Sequence, residues 1–203
     1  YGRNGESPMP VIAATSPTDC FDAAFMACKI AVEHMTPVIL LSDAYIANGS
    51  AAWHLPNLND YPAIVPPYVK PEMAGSWTPF QRNPQTGVRY WATPGMKGFM
   101  HRIGGLEKSN ETGAISTEPE NHNLMTRLRA EKVERIAASI PDLEVEGDAD
   151  ADLLIVGFGG TYGHLHSAMD AMNRHGKKAA LAHFKFINPL PRNTEAVLRR
   201  YKK

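Results

Sequence analysis

An α/β fold assembled from two parallel βαβ units is predicted by three features of this sequence. An apolar strand, an amphipathic helix and a second apolar strand follow one another between Met9 and Ser42. A strand, a glycine-rich turn, a helix and a further strand repeat that order between Asp152 and Phe184. The stretch between them is crowded with proline and aromatic residues and keeps neither the helical nor the strand period.

The first strand is expected over residues 9–14. Ser16 is a good N-cap and Pro17 suits the first helical position, so a helix should follow. Phe21, Ala24, Phe25, Cys28, Ala31, Val32 and Met35 recur every three or four residues and give that helix one apolar face. Thr36-Pro37 ends it. Val38-Ile39-Leu40-Leu41 is an uninterrupted apolar run, the pattern of a parallel strand covered on both faces.

In residues 56–148 the aromatic side chains argue against disorder, and the stretch reads as one that wraps surfaces rather than builds a core. One helix is expected inside it, over residues 120–139, with Met125, Leu128, Val133, Ile136 and Ile140 as its stripe. Arg127, Glu131 and Arg135 stand four apart and read as its solvated flank. The second unit comprises a strand over 152–158, a glycine turn over 159–163, a helix over 164–175 with Gly176 as its C-cap, and a strand over 179–184. A last helix should open at Asn193 and reach Tyr201. Two parallel strands do not make a stable sheet. Each unit must therefore join the other or be completed by polypeptide outside these 203 residues. A start at Tyr1 rather than Met favours the second alternative, a fragment.

Lys and Arg total 21, as do Asp and Glu, and this balance argues against a broad grip on nucleic acid or anionic lipid. No apolar run approaches the ~18–20 residues that cross a membrane, so a soluble protein is expected. Cys20 and Cys28 would lie roughly 12 Å apart along one helix, too far for a disulfide. They read as reduced thiols in a packed core, which places the chain in the cytoplasm.

Several positions invite chemistry. Gly157-Phe158-Gly159-Gly160-Thr161-Tyr162-Gly163 joins a strand to a helix, where backbone N–H groups can cradle a phosphate. The dinucleotide spacing fails because Tyr162 stands where a glycine is required, and close packing explains the glycines better. His164 and His166 would point about 200° apart on a helix, which does not suit a shared metal. Asp43 ends a strand where ligands of α/β sheets often bind. Arg3, in a polar loop before the first strand, has the fork geometry that clamps a carboxylate; a plain surface loop is the competing reading. The loop 43–50, with Asn48, Gly49 and Ser50, suits either a ligand or a partner subunit.

Taken in series, Tyr1-Gly2-Arg3-Asn4-Gly5-Glu6-Ser7-Pro8, Thr15-Ser16-Pro17-Thr18-Asp19-Cys20-Phe21 and residues 36–50 resemble a known family. It is that of the 2-oxoacid:acceptor oxidoreductase alpha subunits, in particular the 2-oxoglutarate:ferredoxin oxidoreductases. The resemblance continues through Gly104-Gly105-Leu106-Glu107, Pro119-Glu120-Asn121-His122, Arg129-Ala130-Glu131-Lys132, Gly160-Thr161-Tyr162-Gly163 and Phe186-Ile187-Asn188-Pro189-Leu190-Pro191.

That resemblance implies three regions: 1–55 as the C-terminal part of a thiamine-diphosphate pyrimidine-binding domain, 56–148 as a connection, and 149–203 as the beginning of a transketolase-C-terminal-like domain. It implies a 2-oxoacid, with coenzyme A, converted to acyl-CoA and CO₂ while a ferredoxin-type acceptor is reduced, in a complex with a beta subunit. Pyruvate and branched-chain 2-oxoacids are the alternative substrates, and a non-catalytic assembly module is the alternative role. Thiamine diphosphate, Mg²⁺ and an iron–sulfur cluster are implied for the whole complex, with their main ligands outside this chain. Arg3 is implied as a contact of the substrate carboxylate, and Asn48, Gly49 and Ser50 as a subunit-interface segment near the cofactor. No catalytic or metal-ligating residue is implied here.

Overall fold

The computed structural model describes residues 6–203. In chain order the elements are β1 (Val11–Ala13), α1 (Cys20–Glu33), β2 (Ile39–Leu41), α2 (Ala44–Ala47), α3 (Pro119–Arg135), β3 (Val145–Gly147), β4 (Leu153–Phe158), α4 (Tyr162–Arg174), β5 (Ala179–Phe184), β6 (Phe186–Asn188) and α5 (Thr194–Arg199). The chain divides into two compact units. One gathers residues 6–9, 29–37 and 63–136; the other gathers 10–28, 38–62 and 137–203, and α1 runs through both.

The six strands found among the described residues belong to the second unit, as two three-stranded sheets of order β2-β1-β6 and β3-β5-β4. Both expected parallel pairs form: Val11, Ile12 and Ala13 lie beside Ile39, Leu40 and Leu41, and β4 runs beside β5 from Leu153–Ala179 to Phe158–Phe184. The α/β class with two βαβ units is thus the observed one. The third strand of each sheet comes from within the chain, which corrects the expectation that outside polypeptide supplies it. β6 adds antiparallel to β1, with a bulge at Val11/Ile12, and β3 adds antiparallel to β5. Three-residue strands carry too little alternation to be read beforehand. Lys185 alone separates β5 from β6, so the chain changes sheet at one residue, whose carbonyl accepts from Ala13 N–H at 2.8 Å.

The core of the second sheet lies around Ala179, Leu181 and Met169 on one face, and around Ala182, Phe184 and Leu143 on the other. Ile12, at 0% exposure, plays the same part in the first sheet. β2 departs from expectation: Leu40 and Leu41 keep 39% and 38% of their surface, because β2 is the edge of its sheet. On α1, Ala23 and Ile30 are buried, while Phe21 and Phe25 pack against Trp53 and Tyr61 with ring centroids 4.8–5.8 Å apart. Cys28 is exposed and Cys20 half-buried, both as free thiols, so the expected packed-core setting holds for neither.

The start of α1 also differs. Ser16 accepts from Asp19 N–H at 3.2 Å in a turn, and the helix begins only at Cys20. Asp19 is the reason: its carboxylate binds Thr15 N–H and Oγ1, each at 3.0 Å, and pairs with Lys185, fixing the turn before the helix can open.

The first unit contains most of the proline-rich stretch, which does build a core. Val69, Val88, Phe99, Met125, Val133 and Ile136 are buried, tied by isolated bridges such as Tyr68–Trp91 and Arg82–Arg89. Its helix α3 opens on Pro119, where a missing N–H costs nothing, and carries Lys132 and Arg135 in its last turn, where they complement the helix dipole. Residues Ile136–Ala138 continue it as a tighter 3₁₀ turn.

Candidate functional site

In the second unit the strand ends bring several candidates together, and they hold one another. Asp43 caps α2: its Oδ1 accepts from Ile46 N–H at 2.9 Å. Its Oδ2 accepts from Gly160 N–H at 3.2 Å, joining the end of β2 to the turn after β4. A Cβ on Gly160 would meet Asp43 Oδ2 at 2.4 Å, and one on Gly157 would meet Leu165 Cδ1 at 2.1 Å. Gly157 and Gly160 are therefore required for close approach, whereas Gly159 serves its positive φ of +64° and an added carbon on Gly163 meets nothing within 4 Å. The Asp43 carboxylate also takes one of the N–H groups that a phosphate cradle would use, and its negative charge opposes an anion there. Replacing Asp43 by alanine is expected to cost about 1 kcal/mol through loss of the cap. A fall in the midpoint of thermal unfolding measures it, and an unchanged midpoint refutes the capping role.

Thr161 donates to Phe158 O at 2.7 Å and closes the turn. Tyr162 donates to Glu146 at 3.0 Å, and the two hydrogen bonds and burial raise its pKa, burial being the larger cause. The histidines go separate ways. The His164 ring lies 5.4 Å from Tyr45, and His166 lies near Glu146 and Asp170 at 3.4 and 3.7 Å.

The loop singled out in the sequence starts with the short helix α2. Asn48 Nδ2 donates to Ala44 O at 2.9 Å and ends that helix. Gly49 admits no side chain, since a Cβ would sit 2.7 Å from Tyr45 O and 3.0 Å from Pro17 Cγ. Asn48, Gly49 and Ser50 are all exposed, as are Leu40, Leu41, Tyr45, Trp53 and Leu55 of the same unit. Arg3 lies outside the described residues.

Sequence reasoning missed the most strongly charged feature of the first unit. A cavity of about 330 Å³ is lined by Arg82, Arg89, Arg129 and Lys132, with no Asp or Glu among its lining residues. Arg82 donates to Phe80 O at 2.9 Å and to Asn110, and Lys132 donates to Met35 O at 2.8 Å, all uncharged acceptors. The Arg89 guanidinium lies over the Phe80 ring, 4.7 Å from its centroid. Of these four cations, Arg129 alone has a carboxylate partner among the described residues, Glu107 at 3.3 Å, which also holds His122 at 2.5 Å. That pairing raises the His122 pKa. Burial, then the neighbouring Arg89, Arg82 and Arg129, bring Lys132 down from 10.5 to about 8, and burial is the main cause of a fall in Arg82 to about 10. These four residues come from three places in the sequence, so no spacing within one element announced them. Lys132 and Arg129 look like the ordinary basic end of a helix.

Among the described residues no group of three or more His, Cys, Asp and Glu side chains converges on a metal. Asp43 already bonds one N–H of the glycine turn, and no step is assigned through a metal or a diphosphate. No helix among them is long and apolar enough to cross a membrane.

Residues 3–121 match the family described as pyruvate flavodoxin/ferredoxin oxidoreductase, thiamine diP-binding. The chain belongs to this family. Among relatives of these oxidoreductases, the "2-oxoglutarate oxidoreductase subunit KorA" of Mycobacterium tuberculosis is 49% identical over all of this chain and 31% of its own length. The "2-oxoglutarate synthase subunit KorA" of Archaeoglobus fulgidus is 26% identical, over all of this chain and 49% of its own. A solved 2-oxoglutarate:ferredoxin oxidoreductase from Magnetococcus marinus, with 2-oxoglutarate, coenzyme A and succinyl-CoA bound, superposes with a TM-score of 0.83 at 27% identity, over 97% of this chain and 34% of that one. The resemblance read in the sequence is thus borne out, and the chain spans about a third to a half of the length of these relatives.

Proposed function

We propose that this chain is part of the alpha subunit of a 2-oxoglutarate:ferredoxin oxidoreductase. The enzyme oxidatively decarboxylates 2-oxoglutarate with coenzyme A to succinyl-CoA and CO₂, and passes the electrons to a ferredoxin-type acceptor. The observation that carries the reading is 49% identity, end to end, with a 2-oxoglutarate oxidoreductase subunit. Thiamine diphosphate supplies the carbon chemistry when bound, and the protein contributes orientation and electrostatics. Mg²⁺ and the iron–sulfur cluster are assigned to polypeptide other than these residues. In this reading 1–55 end a pyrimidine-binding-type domain, 56–148 connect, and 149–203 begin a transketolase-C-terminal-like domain.

The loop at Asn48, Gly49 and Ser50 is assigned to the contact with the beta subunit. Its support is the exposed apolar side chains that flank it in sequence, Tyr45, Trp53 and Leu55, the last with 86% of its area exposed. The free thiols Cys20 and Cys28 support a reducing compartment, the cytoplasm.

Acyl-CoA formation by the complete enzyme with 2-oxoglutarate, pyruvate and branched-chain 2-oxoacids tests the reading; preference for any but the first overturns the substrate, and absence of acyl-CoA with all of them overturns the activity. Arg3 is assigned to the substrate carboxylate. A paired, charge-assisted hydrogen bond contributes about 1.5–3 kcal/mol, so Arg3→Ala is expected to raise the KM for 2-oxoglutarate roughly tenfold or more. An unchanged KM and kcat would remove Arg3 from the site.

A further inference from the structure

We infer that Lys132, on the basic cavity of the first unit, is a site of covalent acylation by thioesters whose acyl group ends in a carboxylate. Under the proposed function the enzyme's own product, succinyl-CoA, is such a thioester. The source of the acyl group, though not the site, rests on that reading.

Geometry is the first argument. Lys132 lines a cavity of about 330 Å³ with Arg82, Arg89 and Arg129, and no Asp or Glu lines it. Arg129 is paired with Glu107, whereas Arg82 and Lys132 donate to uncharged acceptors. A second space bordered by Lys132 does carry Glu131, which pairs with Arg135 at 3.4 Å. Guanidinium forks beside the amine suit one incoming carboxylate, which they bind by charge-assisted hydrogen bonds. Met35, Phe80, Met125 and Leu128 give the cavity an apolar wall for a short methylene chain. An acetyl group offers the arginines no such charge.

Chemistry is the second. Burial, then the neighbouring Arg89, Arg82 and Arg129, disfavour the ammonium form and bring Lys132 to about 8. At pH 8 about half of such an amine is free, against under about 1% of a lysine of ordinary pKa. Lower basicity costs some nucleophilicity, and an advantage of about tenfold remains. The amine donates one N–H to Met35 O at 2.8 Å and keeps its lone pair. That nitrogen attacks the thioester carbonyl carbon; the amide C–N bond forms and the C–S bond breaks. The departing thiolate takes up the proton that the nitrogen gives up, so amine and thioester become amide and thiol with no oxidation or reduction. A succinyl group replaces a cation by an anion among three arginines and relieves their mutual repulsion. The coenzyme itself needs no place in the cavity.

The test treats the full-length subunit, assembled with its partners, at pH 8 with S-succinyl-N-acetylcysteamine or S-acetyl-N-acetylcysteamine, thioesters that carry no nucleotide. Peptide mass spectrometry reads acylation at Lys132 against that at the exposed Lys97. Succinylation of Lys132 is expected to outpace that of Lys97 about tenfold, and the excess with the acetyl reagent to be roughly threefold smaller or less. Equal succinylation of the two lysines overturns the site, and an equal excess with both reagents overturns the selection for a carboxylate. Arg82→Gln and Arg89→Gln each remove a partner of that carboxylate and a charge that disfavours the ammonium, so each should cut the excess about threefold or more. An excess unaltered in both variants overturns the part played by the cavity.

A second measurement needs neither a variant nor a synthetic thioester. During turnover with 2-oxoglutarate, coenzyme A and the electron acceptor, succinyl-lysine should accumulate at Lys132 ahead of Lys97. If the synthetic thioester labels Lys132 but turnover yields no succinyl-CoA, the site stands and the function reading falls. If succinyl-CoA forms and Lys132 stays unlabelled, the proposal falls and the function reading stands.

Discussion

Replacing Gly147 by alanine is expected to cost the protein about 3 kcal/mol or more, as strain and overpacking each contribute roughly 1–3 kcal/mol. Gly147 sits at φ +99°, a left-handed backbone that a side chain resists. An added Cβ would lie 2.6 Å from Ala179 O and 2.6 Å from Met169 Sδ, with Ala180 Cα at 3.1 Å. Two of those neighbours are backbone of β5 and cannot rotate away. Since β3 pairs Gly147 with Ala180, the substitution pushes β3 off the sheet that positions the glycine turn. Gly176→Ala is the control. It has a similar φ of +74°, but nothing lies within 4 Å of the added carbon, so only the strain remains, about 1 kcal/mol. Urea denaturation of the full-length protein compares the two. Equal losses would show that the close approach at Gly147 contributes nothing.

Asn193→Ala is the second large effect. Asn193 Oδ1 accepts from Leu143 N–H at 2.8 Å, and its Nδ2 donates to Leu143 O at 2.9 Å. The amide thus completes both backbone groups of a buried residue just before β3. Truncation leaves them unpaired, at about 1–3 kcal/mol each where water cannot reach, so a loss of about 2–4 kcal/mol is expected. Hydrogen exchange at the Leu143 amide should accelerate in step with the fall in the denaturation midpoint. Unchanged protection at Leu143 would refute the account.

Asn193 also shows where reading the chain in order succeeds and where it stops. Its residue type and position announced the start of a helix, and α5 begins one residue later. The side chain makes no capping bond and serves Leu143, fifty positions away. Asp43 behaves similarly. Its place at the end of an apolar strand marked it as a candidate, and the structure gives it two N–H groups to satisfy, one local and one 117 residues distant. Of the two segments nominated for binding, Arg3 falls outside the described residues, and Asn48–Gly49–Ser50 is held by α2 and exposed. The basic cavity gave no local signal, because Arg82, Arg89 and the α3 cations meet only through the fold of the first unit.

By itself the sequence determined the α/β class, both parallel strand pairs, the helices α1, α3, α4 and α5 to within a few residues, and the family. Those features rest on periodicities of two and 3.6 residues and on ordered motifs, information that neighbouring positions share. Tertiary structure alone decided that each sheet takes its third strand from this chain, that the proline-rich stretch builds a core, and that four cations surround one cavity. Each of these depends on residues far apart in the chain, whose meeting is set by packing and by satisfaction of buried polar groups rather than by local pattern.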